Sequence, residues 1–567
     1  MRTFNGEVSI VLCGEAGQGI QSIETILTRS LKLAGYHVFA AKEYMSRVRG
    51  GSNSTTIRVS ENPVQAFSER IDLLIPLDQE ALPHLKKRIS SETILIGERE
   101  KLDSPLTILD LPLSRIAAGL GNPIYANIAA AGMLCALLNV ELEILSSFLG
   151  SYFSKKAPEI IQKNIEAARK GYEIGKTTAG SQKIEVRIRK DPALSEELFL
   201  NGAGAIALGA LAGGCDFISA YPMTPSTGIF TFLAGKAREF GLIAEQAEDE
   251  ISAINMAVGA SYAGGRPLVT TAGGGFALMV EGLSLAGMLE TPVVIVIGQR
   301  PAPATGLPTR TEQADMMFAL NAGHGEFPRV LLAPGTIGEA FDLTRRAFNM
   351  ADRFQSPVII LTDQYQADSY HNVPPFDSGG FKVEKTIIET TEDYRRYRVT
   401  GDGISPRGLP GFGKGLVCLD SDEHDEEGHI TEDEDVRAAM VEKRLRKMEL
   451  IRREALPPTL SGPEDYKYLV ISWGSTFGVV QEAIFSLGLN DLAHLHFSQI
   501  FPLHPDAGKF LEKAENTIII ENNATAQLAR LLRQETGCEM SHRILKYNGL
   551  PFSIEEVRQK LQEILHG

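Results

Sequence analysis

The chain has 567 residues, a net charge of −15 at neutral pH, and 43% hydrophobic and 22% charged residues. This length predicts about three or four domains, and the composition excludes wholesale disorder and a fibrous repeat. The acidic balance makes the whole chain a poor binder of nucleic acid or of an anionic membrane, so we expect neither partner.

The five cysteines lie far apart and form no Cys-x-x-Cys pair. The chain therefore cannot present a recognisable iron–sulfur or structural zinc motif. A sparse, odd count fits a reducing compartment, and the first residues lack the apolar segment of a signal peptide. The longest uncharged stretch, 116–140, is broken by Gly121-Asn-Pro123, and its second part reads as a buried helix. We expect a cytoplasmic protein without a membrane span.

The first block begins with a β–α–β pattern. Apolar residues predict a strand at 8–12, a helix at 20–34 and a second strand at 37–41, which implies a parallel sheet. A glycine loop joins the first strand to the helix. Such a loop favours an anion through its N–H groups and the helix dipole, although a tight turn that needs glycine for geometry alone is an equal alternative. Its three glycines are Gly14, Gly17 and Gly19.

The spacing of this loop is G-x-x-G-x-G, which differs from the dinucleotide fingerprint G-x-G-x-x-G and argues against an NAD-dependent dehydrogenase. Downstream, Arg47 and Arg49 lie on a flexible glycine turn. Two cations on such a turn are weak evidence for an anion site when taken alone. Together with the glycine loop they predict a phosphate-bearing ligand or a subunit contact.

The α/β pattern continues along the chain. Residues 177–189 are charged and are interpreted as an extended linker. A second block of alternating strands and helices spans about 195–361, and a smaller third block begins at 468. Between them, 368–465 is rich in turn residues and ends in a charged helix, interpreted as a solvated connector, with a basic binding site as the alternative. The predicted fold class is α/β, with three doubly wound, mostly parallel sheets and a long connector.

Three strand ends of the second block carry candidate ligand-binding residues. Tyr221-Pro-Met-Thr-Pro-Ser-Thr227 follows one strand, and its two prolines fix the hydroxyl groups; a capped helix start at Ser226 or Thr227 is compatible with this. Thr270–Phe276 contains three glycines after a second strand. Arg300 follows a very apolar third strand, where an arginine suits recognition of a carboxylate. A structural ion pair with Glu250 or Glu281 is the alternative for Arg300.

Acidic residues 245–250 precede a helix rich in alanine and glycine. Carboxylates at a helix N-terminus are usually solvated and are favoured by the helix dipole, which is the default expectation for each of them. Glu250 is the nearest to the small residues and could accept a close ligand.

These motifs, taken in order, resemble the alpha subunit of the 2-oxoacid:ferredoxin oxidoreductases, most closely the 2-oxoglutarate type. The glycine loop and Arg49-Gly-Gly51 resemble the gamma domain of the same family, so the order is gamma then alpha. The match covers essentially the whole chain and rests on Tyr221–Thr227, Glu248–Glu250, Thr271–Gly275, Gln299-Arg300, Thr305–Thr309, Asp402–Arg407, Pro410-Gly411, Glu423–Glu426, Trp473–Ser475, and Glu521-Asn522 with Gln527.

The resemblance implies four parts: a gamma domain at 1–185, a pyrimidine-binding domain at 190–367, the connector at 368–465 and a transketolase C-terminal-like domain at 466–567. It also implies chemistry with thiamine diphosphate, in which a carboxylate hydrogen-bonds the aminopyrimidine ring. Glu250 matches this carboxylate, with Glu248 as the competitor if the alignment slips by two residues.

The resemblance further assigns the substrate and cofactor contacts. Thr224 and Arg300 match the residues that hold the carboxylate of the 2-oxoacid, with Thr305 as a further substrate contact. The implied contacts of thiamine diphosphate are Tyr221, Pro222, Met223, Glu250, Gly273 and Gly274. The implied contacts of coenzyme A, the co-substrate, are Gly14, Gly17, Gly19 and Arg49.

A partner chain is also implied. Thiamine diphosphate enzymes bind Mg²⁺ through a Gly-Asp-Gly run followed roughly 25 to 30 residues later by asparagine, and Gly401-Asp-Gly403 lacks that asparagine. We therefore expect no metal on this chain. A beta subunit of about 300 residues would share the thiamine diphosphate and supply Mg²⁺ and the [4Fe–4S] clusters. The assembly would be a heterodimer or a dimer of heterodimers, with ferredoxin as electron acceptor.

The expected reaction is that of a 2-oxoglutarate synthase: 2-oxoglutarate and coenzyme A give succinyl-CoA, CO₂ and reduced ferredoxin, reversibly in principle. Pyruvate, a branched-chain oxoacid or an aryl oxoacid is the alternative substrate. A non-catalytic paralogue that docks the partner is the alternative function, and the intact Thr224, Glu250 and Arg300 argue against it.

Overall fold

A computed structural model describes residues 2–46, 51–182, 184–377 and 379–566. The chain divides into two compact units. The first comprises Met1–Leu200, Ser369–Pro375 and Ser553–Glu555, and the second comprises Asn201–Asp368, Phe376–Phe552 and Glu556–Gly567.

The elements up to residue 201 are, in order, β1 Arg2–Asn5, β2 Glu7–Glu15, α1 Ile20–Leu33, β3 His37–Glu43, β4 Ser52–Ser60, β5 Leu73–Pro76, α2 Ala81–His84, β6 Ile94–Gly97, β7 Thr107–Asp110, α3 Leu113–Leu120, α4 Tyr125–Leu137, α5 Leu142–Tyr152, α6 Pro158–Gln182, β8 Ile184–Arg187 and β9 Leu198–Asn201.

The elements from 202 to 373 are α7 Gly202–Ala212, β10 Phe217–Ala220, α8 Thr227–Phe240, β11 Ile243–Gln246, α9 Glu250–Tyr262, β12 Pro267–Ala272, α10 Gly273–Leu278, α11 Val280–Met288, β13 Val293–Gln299, α12 Met316–Asn321, β14 Val330–Leu332, α13 Ile337–Phe354, β15 Pro357–Asp363, α14 Gln364–Asp368 and β16 Tyr370–Val373.

The remaining elements are β17 Ile387–Thr390, β18 Arg407–Gly413, α15 Glu434–Arg453, β19 Thr459–Ser461, β20 Tyr468–Trp473, α16 Phe477–Leu487, β21 Leu492–Phe497, β22 Gln499–Phe501, α17 Ala507–Lys513, β23 Asn516–Glu521, α18 Gln527–Thr536, β24 His542–Leu545 and α19 Ile554–His566.

The first unit is built on an eight-stranded sheet in the order β7-β6-β5-β2-β4-β3-β16-β9. Strands β2, β5, β6 and β7 are parallel, as the β–α–β pattern predicts. Strand β4 was not predicted, and it lies between β2 and β3, antiparallel to both. Its threonines, valine and isoleucine favour an extended backbone, so Ser52–Ser60 pairs as a strand.

The linker predicted at 177–189 is wrong. Helix α6 continues to Gln182, and β8 then pairs in parallel with β1. Two of the charged side chains that suggested a linker, Glu185 and Arg187, belong to β8, where they alternate with the buried Ile184 and Val186. Charge composition alone does not distinguish a linker from a strand with one polar face.

The second unit contains the other two large sheets, and both confirm the doubly wound, mostly parallel architecture. One has the order β11-β10-β12-β13-β15-β14-β22, in which only β22 runs antiparallel. The other has the order β19-β21-β20-β23-β24, in which only β19 runs antiparallel. One apolar core is continuous between the two sheets and includes the fully buried Trp473.

The connector helix α15 is not a solvated helix along its whole length. Lys443, Arg444 and Lys447 are buried, and each is paired with a carboxylate: Glu290 bonds both lysines and Glu423 bonds Arg444. The interpretation of these residues as solvated is therefore wrong. The partners lie elsewhere in the chain, so a local reading of charge could not locate them.

Candidate active site

The candidate site lies at the edge of the second unit's seven-stranded sheet where the parallel strands β10, β12, β13 and β15 end. Ala272 is paired with Gly298, and Gln299 is paired with Asp363, so these strand ends are level with one another. This is the edge at which open parallel sheets bind ligands. It brings together the three loops that the sequence predicts to carry the site.

The loop after β10 is held against β13. Ser226 donates from Oγ to the carbonyl oxygen of Met223 at 2.8 Å, which closes the turn before α8. Gly298 leaves the space that Pro225 fills, because a Cβ atom at 298 would lie 2.8 Å from the proline ring. Thr224 and Tyr221 remain exposed on the outer face of the loop.

Arg300 contacts this loop directly. Its Nη1 atom donates to the carbonyl oxygen of Thr224 at 2.7 Å, so the predicted pair Thr224 and Arg300 is brought together. Burial lowers the pKa of Arg300, and the negative charge of Asp315 opposes that shift. Among the described residues, no carboxylate forms an ion pair with Arg300, which disposes of the alternative pairing with Glu250 or Glu281.

Glu250 is the first residue of α9 and is only 3% exposed. The helix is capped by Asp249, whose carboxylate accepts from the Ser252 N–H at 2.8 Å, so Glu250 is not needed as a cap. Its Oε1 atom has no hydrogen-bond partner within the described part of the chain. Burial and the neighbouring Asp249 raise the pKa of Glu250. By contrast, Glu248 is exposed, so Glu250 is the carboxylate that points into the protein.

The glycine run after β12 separates Glu250 from a second carboxylate. A Cβ atom at 275 would lie 2.4 Å from Glu250 Oε1 and 2.1 Å from Thr271 Oγ1, so this position admits only glycine. A Cβ atom at 274 would contact only the carbonyl oxygen of Ala304, at 3.7 Å. An unpartnered buried carboxyl beside an open glycine floor fits a flat ring with a hydrogen-bonding nitrogen, which is the kind of group that thiamine diphosphate presents.

The second carboxylate is Asp315, which sequence reasoning missed. A Cβ atom at Gly273 would lie 2.4 Å from Asp315 Oδ2, so the carboxyl group sits directly over that glycine. Its own N–H donates to Gln299 Oε1 at 3.1 Å. Burial raises the pKa of Asp315 to about 6, against the effect of Arg300. No spacing relative to the strand ends indicates this residue, because it lies 16 residues beyond the end of β13.

A glutamine joins the site to the five-stranded sheet. Gln313 is fully buried; its Nε2 donates to the carbonyl oxygen of Trp473 at 2.7 Å, and its Oε1 accepts from the Asn522 N–H at 2.9 Å. The motifs Trp473–Ser475 and Glu521-Asn522, which are remote in sequence, therefore support the segment that carries Asp315.

Thr305 lies on an exposed loop that follows Arg300. The loop is closed by a hydrogen bond from the Leu307 N–H to the carbonyl oxygen of Pro301 at 3.1 Å. Gly306 has φ +53°, and a Cβ atom there would collide with that same carbonyl, so glycine is required at the turn. Among the described residues, no side-chain hydrogen bond joins Thr305 to Thr224, Glu250 or Arg300.

The glycine loop of the first unit borders an open groove of about 900 Å³. Gly19 has φ +85° and precedes α1, and the side chain of Asn127 occupies the place of its missing Cβ atom. The N–H of Glu15 already donates to Asp78 Oδ2 at 2.7 Å. Gly17 also lines the groove, Gly14 is packed against Gln18 and Leu77, and Arg49 lies outside the described residues.

Comparison with known proteins identifies the family. Residues 208–443 match the family model "Pyruvate flavodoxin/ferredoxin oxidoreductase, thiamine diP-bdg", and 9–174 match "Pyruvate ferredoxin/flavodoxin oxidoreductase". The alpha subunit of a 2-oxoacid:ferredoxin oxidoreductase from Sulfolobus sp is 31% identical, covering 98% of this chain and 97% of the relative. The chain belongs to the 2-oxoacid:ferredoxin oxidoreductases.

Two further relatives bear on which member of the 2-oxoacid:ferredoxin oxidoreductases this is. The 2-oxoglutarate oxidoreductase subunit KorA of Mycobacterium tuberculosis is 26% identical over 99% of this chain and 92% of its own length. A solved 2-oxoglutarate:ferredoxin oxidoreductase from Magnetococcus marinus, with 2-oxoglutarate, coenzyme A and succinyl-CoA bound, is 29% identical. Its TM-score is 0.91, with 99% of each chain covered.

In the part of the chain that the structure describes, no helix is long and apolar enough to cross a membrane. In the same residues, no group of three or more His, Cys, Asp or Glu side chains could hold a metal ion. The five cysteines are all free thiols, and Cys13, Cys135 and Cys215 are buried.

Proposed function

We propose that this subunit is the gamma–alpha part of a 2-oxoglutarate:ferredoxin oxidoreductase that works with a beta subunit. The complex would convert 2-oxoglutarate, coenzyme A and oxidised ferredoxin into succinyl-CoA, CO₂ and reduced ferredoxin. The names of the KorA relative and of the Magnetococcus marinus enzyme support 2-oxoglutarate as substrate. The broader 2-oxoacid name of the Sulfolobus relative keeps pyruvate and other oxoacids as the alternatives to test.

One observation supports the proposal most directly. Glu250 is a buried carboxyl whose Oε1 has no partner among the described residues, and Arg300 is a cation bonded to the Thr224 carbonyl; both lie at the same edge of the sheet. Thiamine diphosphate, when bound, would supply the nucleophilic carbon and the electron sink for decarboxylation. Burial raises the pKa of Glu250 and leaves its Oε1 free, which suits a carboxyl group that hydrogen-bonds a ring nitrogen and exchanges a proton with it. Gly273 and Gly274, with Tyr221, Pro222 and Met223, would line the place of the ring.

Arg300 would bind the carboxylate of the 2-oxoacid, and its attachment to the Thr224 carbonyl would fix the direction of the guanidinium. The Thr224 hydroxyl is exposed beside it and would donate to the same carboxylate. Thr305, on the exposed loop, would become a contact only if that loop folds over the substrate.

In the first unit, Gly17 and Gly19 would contact coenzyme A. The charged residues that line the groove beside them are Asp78, Glu98, Glu100 and Lys101, and Lys101 is paired with Glu98. The remaining negative charge disfavours the phosphate groups of coenzyme A, so the uncharged pantetheine arm is the part that would lie there. We further propose that the domains of the chain divide at residues 185, 367 and 465. Mg²⁺ and the [4Fe–4S] clusters would be bound by the beta subunit.

The test is Glu250→Gln in the chain reconstituted with its beta subunit, with Glu248→Gln as the matched control. We expect E250Q to lower 2-oxoglutarate-dependent viologen reduction about 100-fold or more, because the amide cannot exchange the proton. E248Q, which changes an exposed carboxylate two residues away, should retain activity. Near-normal turnover of E250Q with unchanged assembly would refute the role of Glu250. A higher kcat/KM for pyruvate than for 2-oxoglutarate would refute the substrate.

A further inference from the structure

Asp315 occupies the N-cap position of α12, where an aspartate usually accepts hydrogen bonds from the first N–H groups of the helix. Its side chain makes no such bond. Gln527 caps the helix instead. Its Oε1 accepts from the Met317 N–H at 2.8 Å, and its Nε2 donates to the carbonyl oxygen of Ala314 at 2.7 Å. The ordinary structural reason for an aspartate at 315 is therefore absent.

The carboxyl group of Asp315 is turned toward the glycine run instead. It is 7% exposed, its Oδ2 has no hydrogen-bond partner among the described residues, and it covers Gly273. A buried carboxyl group that makes neither a capping hydrogen bond nor any other lowers the stability of the fold, and such groups concentrate at functional sites. The two ends of the glycine run thus each carry one unpartnered carboxyl: Glu250 at Gly275 and Asp315 at Gly273.

The charged groups that act on Asp315 come from two elements. Arg300, at the end of β13, lowers the pKa of Asp315. The charge of Asp315 raises the pKa of Glu312, which lies on the same segment. Helix α18 contributes the neutral amide of Gln527, and the glycine run contributes no side chain. Arg300 bonds the Thr224 carbonyl and not Asp315, so the carboxyl acts on the cation through its charge.

We propose that Asp315 is a positioning residue that sets how tightly Arg300 holds the carboxylate of the substrate, and that binding of this carboxylate is coupled to uptake of one proton by Asp315. This rests on the proposed function, because it takes Arg300 as the carboxylate-binding cation. When Asp315 is ionised, its charge repels the incoming carboxylate. When a proton from solvent neutralises it, the full positive charge of Arg300 faces the substrate.

The sign of the pH dependence follows from this arrangement. An anion binds best when Asp315 is protonated, so affinity is highest below the pKa of about 6 and falls as the pH rises through it. The KM for 2-oxoglutarate should therefore rise between about pH 5.5 and pH 7.5. A single neighbouring charge in a partly buried site changes affinity by about three- to tenfold.

The test uses Asp315→Asn in the complex of this chain with its beta subunit, and Glu312→Gln as the matched control. D315N should lower the KM for 2-oxoglutarate at pH 8 by about three- to tenfold and remove its dependence on pH. E312Q removes a half-buried carboxylate of the same segment whose charge is coupled to that of Asp315, so the KM should still depend on pH, with its midpoint moved to lower pH. Only D315N should abolish the dependence. A D315N profile that stays parallel to that of the wild type, or a KM that rises at every pH, would overturn the proposal.

A second measurement does not depend on a variant that folds. Calorimetric titration of the wild-type complex with N-oxalylglycine, an analogue that cannot be decarboxylated, in two buffers of different ionisation enthalpy counts the protons exchanged. We expect a fraction of a proton to be taken up near pH 6.5, and none would contradict the coupling. If the wild-type complex turns over 2-oxoglutarate but shows no uptake, only the role of Asp315 fails. If it turns over no 2-oxoacid, the proposed function fails and the role of Asp315 with it.

Discussion

Replacing Glu290 by glutamine should destabilise the second unit strongly. Glu290 is 1% exposed, its Oε1 lies 2.5 Å from Lys443 Nζ, and its other oxygen pairs with Lys447. Arg396 adds a third buried cation and donates to the Glu290 carbonyl at 2.8 Å. Burial would raise the pKa of Glu290, but the three cations hold it well below its usual range. E290Q leaves these cations without their carboxylate.

The size of the loss can be bounded. Removing one partner of a buried ion pair costs about 3–5 kcal/mol. The lysines can escape the penalty by losing their protons, which costs each of them about 5 kcal/mol at pH 7. Burial already lowers the pKa of Lys447 to about 8. We therefore expect E290Q to lower the free energy of unfolding by about 4 kcal/mol at pH 7.

The loss should also depend on pH in a defined direction. In E290Q one of the two buried lysines, Lys447, whose pKa burial already lowers, is neutral in the folded state but protonated in the unfolded state. The unfolded state therefore binds one more proton, and stability rises with pH. Between pH 7 and pH 8 the difference from wild type should shrink by about 1 kcal/mol. The opposite trend, or a loss that does not change with pH, would refute this account of the cluster.

The assay is urea unfolding at both pH values, followed by the fluorescence of Trp473, the single tryptophan, and by circular dichroism. Glu442→Gln changes an exposed carboxylate on the same helix and should leave the midpoint unchanged. The triple variant E290L/K443M/K447M removes the carboxylate and both lysines, leaves Arg396 on the backbone carbonyls of residues 289 and 290, and should recover most of the lost stability. A free energy of unfolding of E290Q within about 1 kcal/mol of the wild-type value would show that the cations have another partner.

Two further substitutions test the site. Gly275→Ala would place a Cβ atom 2.4 Å from Glu250 Oε1 and should lower turnover at least about tenfold. Gly259→Ala, at an open position on the Glu250 helix, should leave turnover unchanged. Equal steady-state rates of the two variants would contradict the close contact between residue 275 and Glu250. Gln313→Ala leaves the Asn522 N–H buried without a partner and the Trp473 carbonyl with only the Thr476 hydroxyl as donor, and should cost about 2 kcal/mol. An unchanged thermal unfolding midpoint would argue against this link.

Much of the site was predictable because parallel strands impose their own geometry. Apolar runs located β10, β12 and β13, and the carboxyl ends of parallel strands share one edge, so Thr224 and Arg300 had to come close. The motif resemblance singled out Glu250 among several acidic residues. The structure adds the physical basis, since Glu250 is buried and unpartnered while Glu248 is exposed.

Other features depend on partners far away in the sequence. Lys443 reads as a solvated charge until Glu290, 153 residues earlier, is placed against it. Asp315 stands at the N-cap position of α12 but makes no capping bond, because Gln527, about 210 residues later, accepts from the first turn of that helix. Composition and periodicity therefore determined the α/β class and the edge of the sheet where the site lies. Only the tertiary structure decided which charges are buried and which carboxyls are free, because desolvation and pairing are set by residues that meet only after the chain has folded.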